Sequence, residues 1–352
     1  MKKFIINFLL ILAGICFTIL LAEVFVRIFY PESRDHVLPS GLYESNNYLG
    51  WKLAKEKSDV HHSTYFNVNY TTNSFGYRDQ NRFVEKGKGK YRILLYGDSQ
   101  IFGWGVPAGK RFTNLLEDSL KNIEIWNLGV PGYGLDQEVL SYQRDGKFFN
   151  ADAIIFYISE YTLDRINYEY IYKKYKPKFV ITNGELKLVS PKKNGVIKSF
   201  INSLTKWMYL PFFIEKRFSI FNKKLNVEGS FNSLIFSESK GGLSELEEKL
   251  ILLAKDLTES KNDFMIILFN KCYPKSIALK DFCKRNNIIY FPVDFDEKDN
   301  NFIHSSEDGH WNRQANEIIF RQLLSHVKQL TSSKRNESFL QKTLYNNVSN
   351  LR

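Results

Sequence analysis

Arg92-Ile93-Leu94-Leu95-Tyr96-Gly97-Asp98-Ser99-Gln100 is a short apolar run that stops abruptly at Gly-Asp-Ser. An apolar run too short for a helix and closed by glycine is typical of a buried parallel strand. Ser99 is then expected at the C-terminal end of that strand. In open α/β sheets ligands bind in the crevice beyond those ends, so we expect the Ser99 hydroxyl to meet a substrate.

A serine hydroxyl is a weak nucleophile until a base takes its proton, so this interpretation requires a histidine and a group that orients it. The candidate base is His310, in Ser306-Glu307-Asp308-Gly309-His310-Trp311-Asn312. Asp308 or Glu307 could hold one ring nitrogen of His310 while the other nitrogen faces Ser99. The sequence therefore predicts a nucleophile, a base and an acid that meet only in the folded chain.

Three segments together resemble sequence blocks of the SGNH/GDSL hydrolases. They are Gly97-Asp98-Ser99 after one strand, Asn127-Leu128-Gly129-Val130-Pro131-Gly132-Tyr133-Gly134 after a second, and the late Asp308-Gly309-His310-Trp311-Asn312. The resemblance covers roughly residues 66 to 330. It implies a serine esterase or O-acyltransferase in which Ser99 attacks an ester carbonyl, His310 acts as general base and then acid, and Asp308 orients His310. The commoner Asp-x-x-His spacing of the family would give the orienting role to Glu307.

The resemblance also implies an oxyanion hole made by the backbone amides of Ser99 and Gly132, placed where negative charge develops. A further family block normally supplies an asparagine amide to this hole, but here Glu160 stands in its place. An ionised carboxylate only accepts hydrogen bonds, and losing one oxyanion donor typically costs about 10² to 10³ in rate. Three alternatives follow: Glu160 is protonated, Asn127 or Tyr161 donates instead, or activity is low or absent. In the last case the domain would serve as a glycan-binding or assembly component.

Helical patterns alternate with short apolar runs along most of the chain, which implies parallel strands joined by right-handed crossovers. Further strands are predicted at 123–128, 153–158, 264–269 and 288–293, and helices at 112–120, 243–258, 277–284 and 312–330, with one more helix N-capped by Asp136. We therefore predict a three-layer α/β/α sandwich with a mostly parallel five-stranded sheet. By resemblance this is the flavodoxin-like SGNH hydrolase fold.

The N-terminus carries an uncharged apolar run from residue 4 to residue 21, long enough to cross a membrane and longer than the apolar core of a signal peptide. No small-residue cleavage site follows it, and Lys2 and Lys3 favour a cytoplasmic N-terminus. We predict that residues 1–31 form a single-pass anchor in a bacterial cytoplasmic membrane, with the catalytic domain facing the periplasm or cell exterior. A cleaved signal peptide is the alternative.

Beyond the anchor, the sequence predicts an irregular juxtamembrane linker at 32–65, a hydrolase-like domain at 66–330 with an insertion at 165–240, and a polar tail at 331–352. Within the insertion, Asn183-Gly184 between alternating residues predicts a hairpin. The aromatic and basic residues 207–218 are expected to pack on the sandwich, with a lid or a membrane-resting face as alternatives. Residues 73–78, Asn-Ser-Phe-Gly-Tyr-Arg, resemble a lead-in of membrane-anchored family members and are expected to brace the active-site edge; an ordinary edge strand and turn is the alternative.

Composition sets limits on partners and cofactors. A hydrophobic fraction of 43% excludes wholesale disorder. The net charge of +11 would suit an anionic polysaccharide, a lipid surface or nucleic acid, but lysine is abundant everywhere together with Asn, Ile and Phe, so a general compositional bias explains it better. We expect an acylated glycan substrate and the membrane as partners, and no nucleic acid. Neither the three cysteines nor the six histidines show metal-ligand spacing, so no metal or cofactor is predicted, and Cys272 and Cys283 are expected to be buried and unpaired.

Overall fold

The computed structural model describes residues 1–39, 41–192, 195, 205, 207–224, 241–261, 264–306 and 308–332. The chain divides into two units. The smaller comprises Met1–Ser40, His62–Phe66 and Asn194–Ser237, and the larger comprises Gly41–His61, Asn67–Lys193 and Glu238–Arg352. The predicted insertion at 165–240 is therefore shared between the two units. Most of the predicted tail lies outside the described residues.

Strands and helices alternate through the larger unit, and one long helix opens the chain. The strands are β1 (Tyr43–Asn46), β2 (Gly50–Leu53), β3 (Ser58–His62), β4 (Asn67–Thr71), β5 (Tyr91–Tyr96), β6 (Ile123–Asn127), β7 (Ala153–Tyr157), β8 (Tyr170–Ile171), β9 (Lys174–Tyr175), β10 (Lys178–Thr182), β11 (Glu185–Val189), β12 (Phe264–Asn270) and β13 (Ile289–Val293). The helices are α1 (Lys2–Phe29), α2 (Ser99–Phe102), α3 (Phe112–Ser119), α4 (Leu135–Arg144), α5 (Glu160–Asp164), α6 (Leu210–Lys224), α7 (Glu245–Glu259), α8 (Ser276–Arg285) and α9 (Arg313–Ser332).

Five strands form one parallel sheet in the order β13-β12-β7-β5-β6. Counted along the chain this is the order 2-1-3-4-5, which is flavodoxin-like. The order reverses around β5, so a crevice opens at the carboxyl ends of β5 and β7. The predicted five-stranded parallel sheet is confirmed, and the segment after β5 lies at the expected ligand-binding edge.

Helices cover both faces of the sheet because successive strand residues point to opposite sides. On one face, Ile93 and Leu95 of β5 pack with apolar residues of α3 and with a stripe on α9. That stripe, Ala315, Ile319, Leu323 and Val327, recurs every four residues and is fully buried. On the other face, the ring of Tyr96 lies 6.2 Å from that of Tyr142 on α4. The result is the predicted three-layer sandwich.

The prediction of an irregular linker at residues 32–65 is wrong for residues 43–62. β1 pairs with β2 in an antiparallel sheet, and β3 and β4 form a second two-stranded sheet. Gly41–His61 belongs to the larger unit, and Trp51 and Leu53 on β2 are buried. These strands are only four or five residues long, so their polar content hides the alternation that would mark them.

Within the smaller unit, α1 contacts α6 near its own C-terminal end. The carboxylate of Glu23 accepts hydrogen bonds from the backbone N–H groups of Tyr209, at 2.8 Å, and Leu210, at 2.9 Å. A negative charge is favourable at a helix N-terminus, where N–H groups lack acceptors within the helix. Arg27 donates to the same carboxylate at 2.7 Å, and its guanidinium lies 5.0 Å from the Tyr209 ring centroid. The aromatic and basic stretch at 207–218 is thus joined to the C-terminal part of α1 by hydrogen bonds and a cation–π contact.

Three smaller expectations have clear outcomes. The hairpin at Asn183-Gly184 is confirmed as β10 and β11, with both turn residues at positive φ. Asp136 is not the N-cap of α4: Gly134 is, and Asp136 is a fully buried residue of the first turn. Cys283 is buried as expected, whereas Cys272 is exposed, and both are free thiols.

Candidate active site

Ser99 begins α2 directly after β5 and is 6% exposed. Asp98 caps this short helix by accepting a hydrogen bond from the N–H of Gln100 at 3.0 Å. Gly97 has no room for a side chain, because a Cβ there would lie 2.2 Å from Ile101 Cγ1. The sharp turn from strand to helix therefore explains why Gly-Asp precedes the serine.

His310 lies against Ser99, although 211 positions separate them in the chain. Its Nε2 is 2.9 Å from Ser99 Oγ, and its Nδ1 contacts Asp308 Oδ1. A carboxylate only accepts hydrogen bonds, so Nδ1 carries the hydrogen and the Nε2 lone pair faces the serine hydroxyl. The backbone N–H of His310 also donates to Asp308 Oδ1, at 3.2 Å. The structure thus brings together Ser99, His310 and Asp308, while Glu307 lies outside the described residues.

The loop that carries His310 is held by contacts that the sequence did not indicate. Gln100 accepts from the N–H of Trp311 at 2.9 Å and donates to the Gly309 carbonyl at 3.4 Å, so it links the segments that carry Ser99 and His310. The Trp104 ring stacks on the His310 imidazole, with centroids 4.8 Å apart and planes 17° from parallel. This geometry limits the rotation of the imidazole.

A partly buried carboxyl group lies behind the same loop. Glu297 accepts hydrogen bonds from Trp311 Nε1 at 2.9 Å and from the Tyr273 hydroxyl at 3.2 Å. Burial raises the pKa of Glu297 to about 7, although hydrogen bonds from Asn270, Trp311 and Tyr273 act to lower it. Glu297 therefore titrates near neutral pH, and it is hydrogen-bonded to Trp311, the residue that follows the candidate base His310.

The glycine-rich loop after β6 reaches the start of α2. Gly129 must be glycine, because a Cβ there would lie 2.3 Å from the Phe102 nitrogen. Gly132 has a φ of +84°, and a Cβ there would meet the Tyr172 ring at 3.0 Å. Within the described part of the chain, the backbone N–H groups of Ser99 and Gly132 donate to no protein acceptor. Both predicted oxyanion donors therefore keep their hydrogen for a ligand.

Two aromatic side chains from the hairpin of β1 and β2 hold the Pro131–Gly132 peptide in place. The Tyr43 hydroxyl donates to the Pro131 carbonyl at 3.1 Å, and Trp51 Nε1 donates to the same oxygen at 3.2 Å. No peptide bond among the described residues is cis, so the Gly132 N–H points away from that carbonyl. Tyr43 and Trp51 therefore set the direction of the Gly132 N–H from the carbonyl side of the same peptide.

Arg165 forms a buried ion pair with the residue before the candidate nucleophile. Its guanidinium donates to Asp98 Oδ2 at 2.7 Å and to the Tyr133 carbonyl at 3.0 Å. Burial acts to lower the pKa of Arg165, but the neighbouring Tyr172 and Asp98 outweigh it and the pKa is raised. Arg165 therefore connects the turn before Ser99 with the glycine-rich loop that carries Gly132.

Glu160 is the first residue of α5, just beyond the carboxyl end of β7. Its neighbour Ser159 caps the helix by accepting from the Thr162 N–H at 3.1 Å. Asn127, a predicted substitute donor, is already engaged: its amide nitrogen donates to the Ile101 carbonyl at 2.6 Å and to Thr113 Oγ1 at 3.2 Å. The alternative in which Asn127 supplies the oxyanion donor is therefore wrong, because both of its amide hydrogens are used.

The lead-in at residues 73–78 contacts the loop after Ser99. Buried Arg78 donates to the carbonyls of Phe102 at 3.0 Å, Gly103 at 2.6 Å and Val106 at 2.7 Å. Three carbonyls on one guanidinium hold this loop in a single shape. The contacts agree with the expected bracing of the active-site edge.

Solved structures of GDSL-family and related hydrolases are similar to this chain. A lipolytic G-D-S-L family protein from Veillonella parvula is 12% identical, with a TM-score of 0.38 over 68% of this chain and 99% of that one. The psychrotrophic esterase EstA from Pseudoalteromonas is 9% identical, with a TM-score of 0.40 over 69% and 100% of the two chains. LAE5, an α/β hydrolase from the metagenome of Lake Arreo, is 12% identical, with a TM-score of 0.38 over 72% and 100%. No protein-family model and no curated protein sequence matches this chain.

Proposed function

We propose that this chain is a serine ester hydrolase or O-acyltransferase. The observation that carries the proposal is the 2.9 Å contact of His310 Nε2 with Ser99 Oγ, with Asp308 on the other ring nitrogen. A nucleophile, a base and an orienting acid in hydrogen-bond reach are what acyl transfer through a covalent intermediate requires. This chemistry needs neither a metal nor a cofactor.

In the proposed reaction, Ser99 Oγ attacks the ester carbonyl while its proton passes to His310 Nε2. Asp308 stabilises the imidazolium that forms, and the N–H groups of Ser99 and Gly132 stabilise the oxyanion. His310 then gives the proton to the departing alcohol, which leaves an acyl group on Ser99. Water, or a hydroxyl of an acceptor, then loses its proton to His310 and attacks the acyl group; the bond to Ser99 Oγ breaks and His310 returns the proton to that oxygen. Hydrolysis and transfer differ only in this second step.

We further propose that the substrate is an O-acyl group, first of all O-acetyl, on an extracytoplasmic glycan. This rests on the resemblance to membrane-anchored family members and on α1, whose 28 residues make it long and apolar enough to cross a membrane. On this proposal α1 is a single-pass anchor in the bacterial cytoplasmic membrane, with the catalytic unit on the periplasmic or outer side.

A second function is favoured by one observation, the carboxylate of Glu160 in the place of the family's oxyanion asparagine. A negative charge facing the oxyanion would slow catalysis, and the domain would then act by binding a glycan. The two functions differ in whether Ser99 forms a covalent intermediate.

The test is turnover of p-nitrophenyl acetate by the full-length protein in detergent, together with labelling by a fluorophosphonate. We expect labelling and turnover in the wild type, and loss of both in Ser99→Ala. Glu160→Asn adds an oxyanion donor, which would raise the rate by about 10²- to 10³-fold if the carboxylate opposes the oxyanion. A wild type that neither turns over nor labels, and that Glu160→Asn does not rescue, would refute the enzyme and support the glycan-binding function.

A further inference from the structure

Lys174 lies on the short hairpin of β8 and β9, and its ammonium group rests on aromatic rings. Its Nζ is 3.6 Å from the ring centroid of Tyr43 and 5.3 Å from that of Trp51. Both rings attract a cation through their faces. The same two side chains donate to the Pro131 carbonyl, so this cation adjoins the peptide that carries the Gly132 N–H.

The hairpin is held firmly in this place. At its base, Lys176 Nζ pairs with buried Asp136 and donates to the carbonyls of Pro177 at 3.0 Å and Arg165 at 3.2 Å. At its tip, Tyr172 and Lys173 have φ values of 50° and 62°, a conformation that side chains of this size rarely adopt. Backbone strain of this kind persists only where the surrounding structure fixes it, and it is common at ligand sites.

The tip of the hairpin covers the predicted oxyanion loop. The Tyr172 ring lies against Gly132, and Tyr172 is still 42% exposed. The hairpin also packs on β2, because a Cβ on Gly50 would lie 2.4 Å from the Tyr175 carbonyl oxygen. Lys174 therefore adjoins, through Tyr43 and Trp51, the peptide that carries the Gly132 N–H, one of the two predicted oxyanion donors.

Lys174 and Lys176 differ in the groups that contact their ammonium nitrogens. The ammonium of Lys176 has a carboxylate and three carbonyl oxygens, whereas that of Lys174, among the described residues, has rings but no carboxylate. Burial lowers the pKa of Lys174 to about 8. A cation that is partly removed from water and lacks an anion is costly unless a ligand supplies one.

We propose that Lys174, seated on Tyr43 and Trp51, is an anion subsite that binds a carboxylate or phosphate group of the substrate beside the ester that Ser99 attacks. This inference rests on the proposed function and narrows it to O-acyl groups on acidic glycans.

The experiment measures binding to full-length protein carrying Ser99→Ala, so that no probe is consumed. The probes are an acetylated oligogalacturonide, the same oligosaccharide after reduction of its carboxyl groups, and an acetylated glycerol phosphate oligomer. Isothermal titration calorimetry compares Ser99→Ala alone with the added substitutions Lys174→Met, Lys174→Arg and Lys173→Met. Melting temperatures verify that each variant is folded.

We expect at least one anionic probe to bind more tightly than the neutral one. Lys174→Met should weaken the binding of that probe by about 10- to 100-fold, which is the usual effect of losing a hydrogen bond to a charged group. Lys174→Arg keeps the charge and should retain most of the affinity. Lys173→Met removes a neighbouring charge and should change it by no more than about threefold. Whether the carboxylate or the phosphate probe shows the loss identifies the source of the anion.

The subsite is refuted if neither anionic probe binds more tightly than the neutral probe, or if Lys173→Met and Lys174→Met weaken binding equally. These readings do not depend on catalysis. Failure of the proposed function appears separately, as a wild-type Ser99 that does not react with a fluorophosphonate.

Discussion

Removing the hydroxyl of Tyr43 should slow catalysis without weakening substrate binding. Tyr43→Phe deletes the 3.1 Å hydrogen bond to the Pro131 carbonyl but keeps the ring on which Lys174 rests. The Trp51 hydrogen bond to the same oxygen remains. Loss of one neutral hydrogen bond costs about 0.5–1.5 kcal/mol, which is about 2- to 12-fold in rate if all of it is felt in the transition state. Losing the Gly132 donor altogether would cost about 10² to 10³. We therefore expect kcat to fall about 2- to 12-fold in Tyr43→Phe, and more in the double variant with Trp51→Phe.

The assay measures kcat and KM separately for a p-nitrophenyl ester, along with inhibition by a phosphonate that mimics the oxyanion. An interaction made only in the transition state lowers kcat and leaves KM nearly unchanged. Tyr48→Phe is the matched control, since its hydroxyl donates to Gln143 at 2.9 Å from the turn of the same hairpin. An equal fall in Tyr48→Phe, or a rise in KM at constant kcat in Tyr43→Phe, would show that these aromatics do not orient the oxyanion donor.

Other predictions concern Asp308, the proposed acid of the triad, and two partly buried titratable groups. Asp308→Asn should lower kcat by about 10⁴ with little change in melting temperature, because the imidazole loses the partner that fixes its tautomer; activity near that of the wild type would return the orienting role to Glu307. Lys174 has its pKa lowered from 10.5 to about 8, so between these pH values the unfolded chain binds the extra proton and stability should rise with pH. Lys174→Met should abolish that rise and increase the melting temperature at pH 7, by about 2–4 °C for each kcal/mol gained; a lower melting temperature would contradict this. Glu297 has its pKa raised from 4.5 to about 7, so the folded chain holds the proton there and stability should fall as pH rises through that range. Glu297→Gln should flatten this part of the thermal stability profile, and an unchanged slope would mean that another group causes it.

The sheet was predictable because its strands are short apolar runs buried on both faces. β5, β7 and β12 are buried along almost their whole length, and helix periodicity such as that of α9 marks the covering layers. The exact ends of the helices and their N-cap residues were harder to predict, because residues that can cap a helix also make tertiary contacts. Asp136 follows a glycine-rich loop and looks like a helix cap, yet its carboxylate pairs with Lys176, forty positions away.

The triad was predictable from Gly97-Asp98-Ser99 and from the late histidine block, since these motifs are local in sequence. The residues that surround the triad were not. Tyr43 contacts Pro131 over 88 positions and Trp51 contacts it over 80, while Arg165 contacts Asp98 over 67. Lys174 looks like any other lysine in a lysine-rich chain, and only the fold shows that its ammonium rests on the rings of Tyr43 and Trp51.

The position of β1 and β2 along the chain matters for anyone who shortens this protein to work with its catalytic part. A fragment cut just before β4 would still carry every residue of the triad and the whole parallel sheet. It would lack both side chains that hold the Pro131 carbonyl, along with the rings under Lys174. If the proposed function holds, such a fragment should react more slowly with small esters than the full-length protein. A cut that keeps Gly41 onward preserves these contacts, so the starting residue decides whether a measured rate belongs to the natural chain or to its truncation.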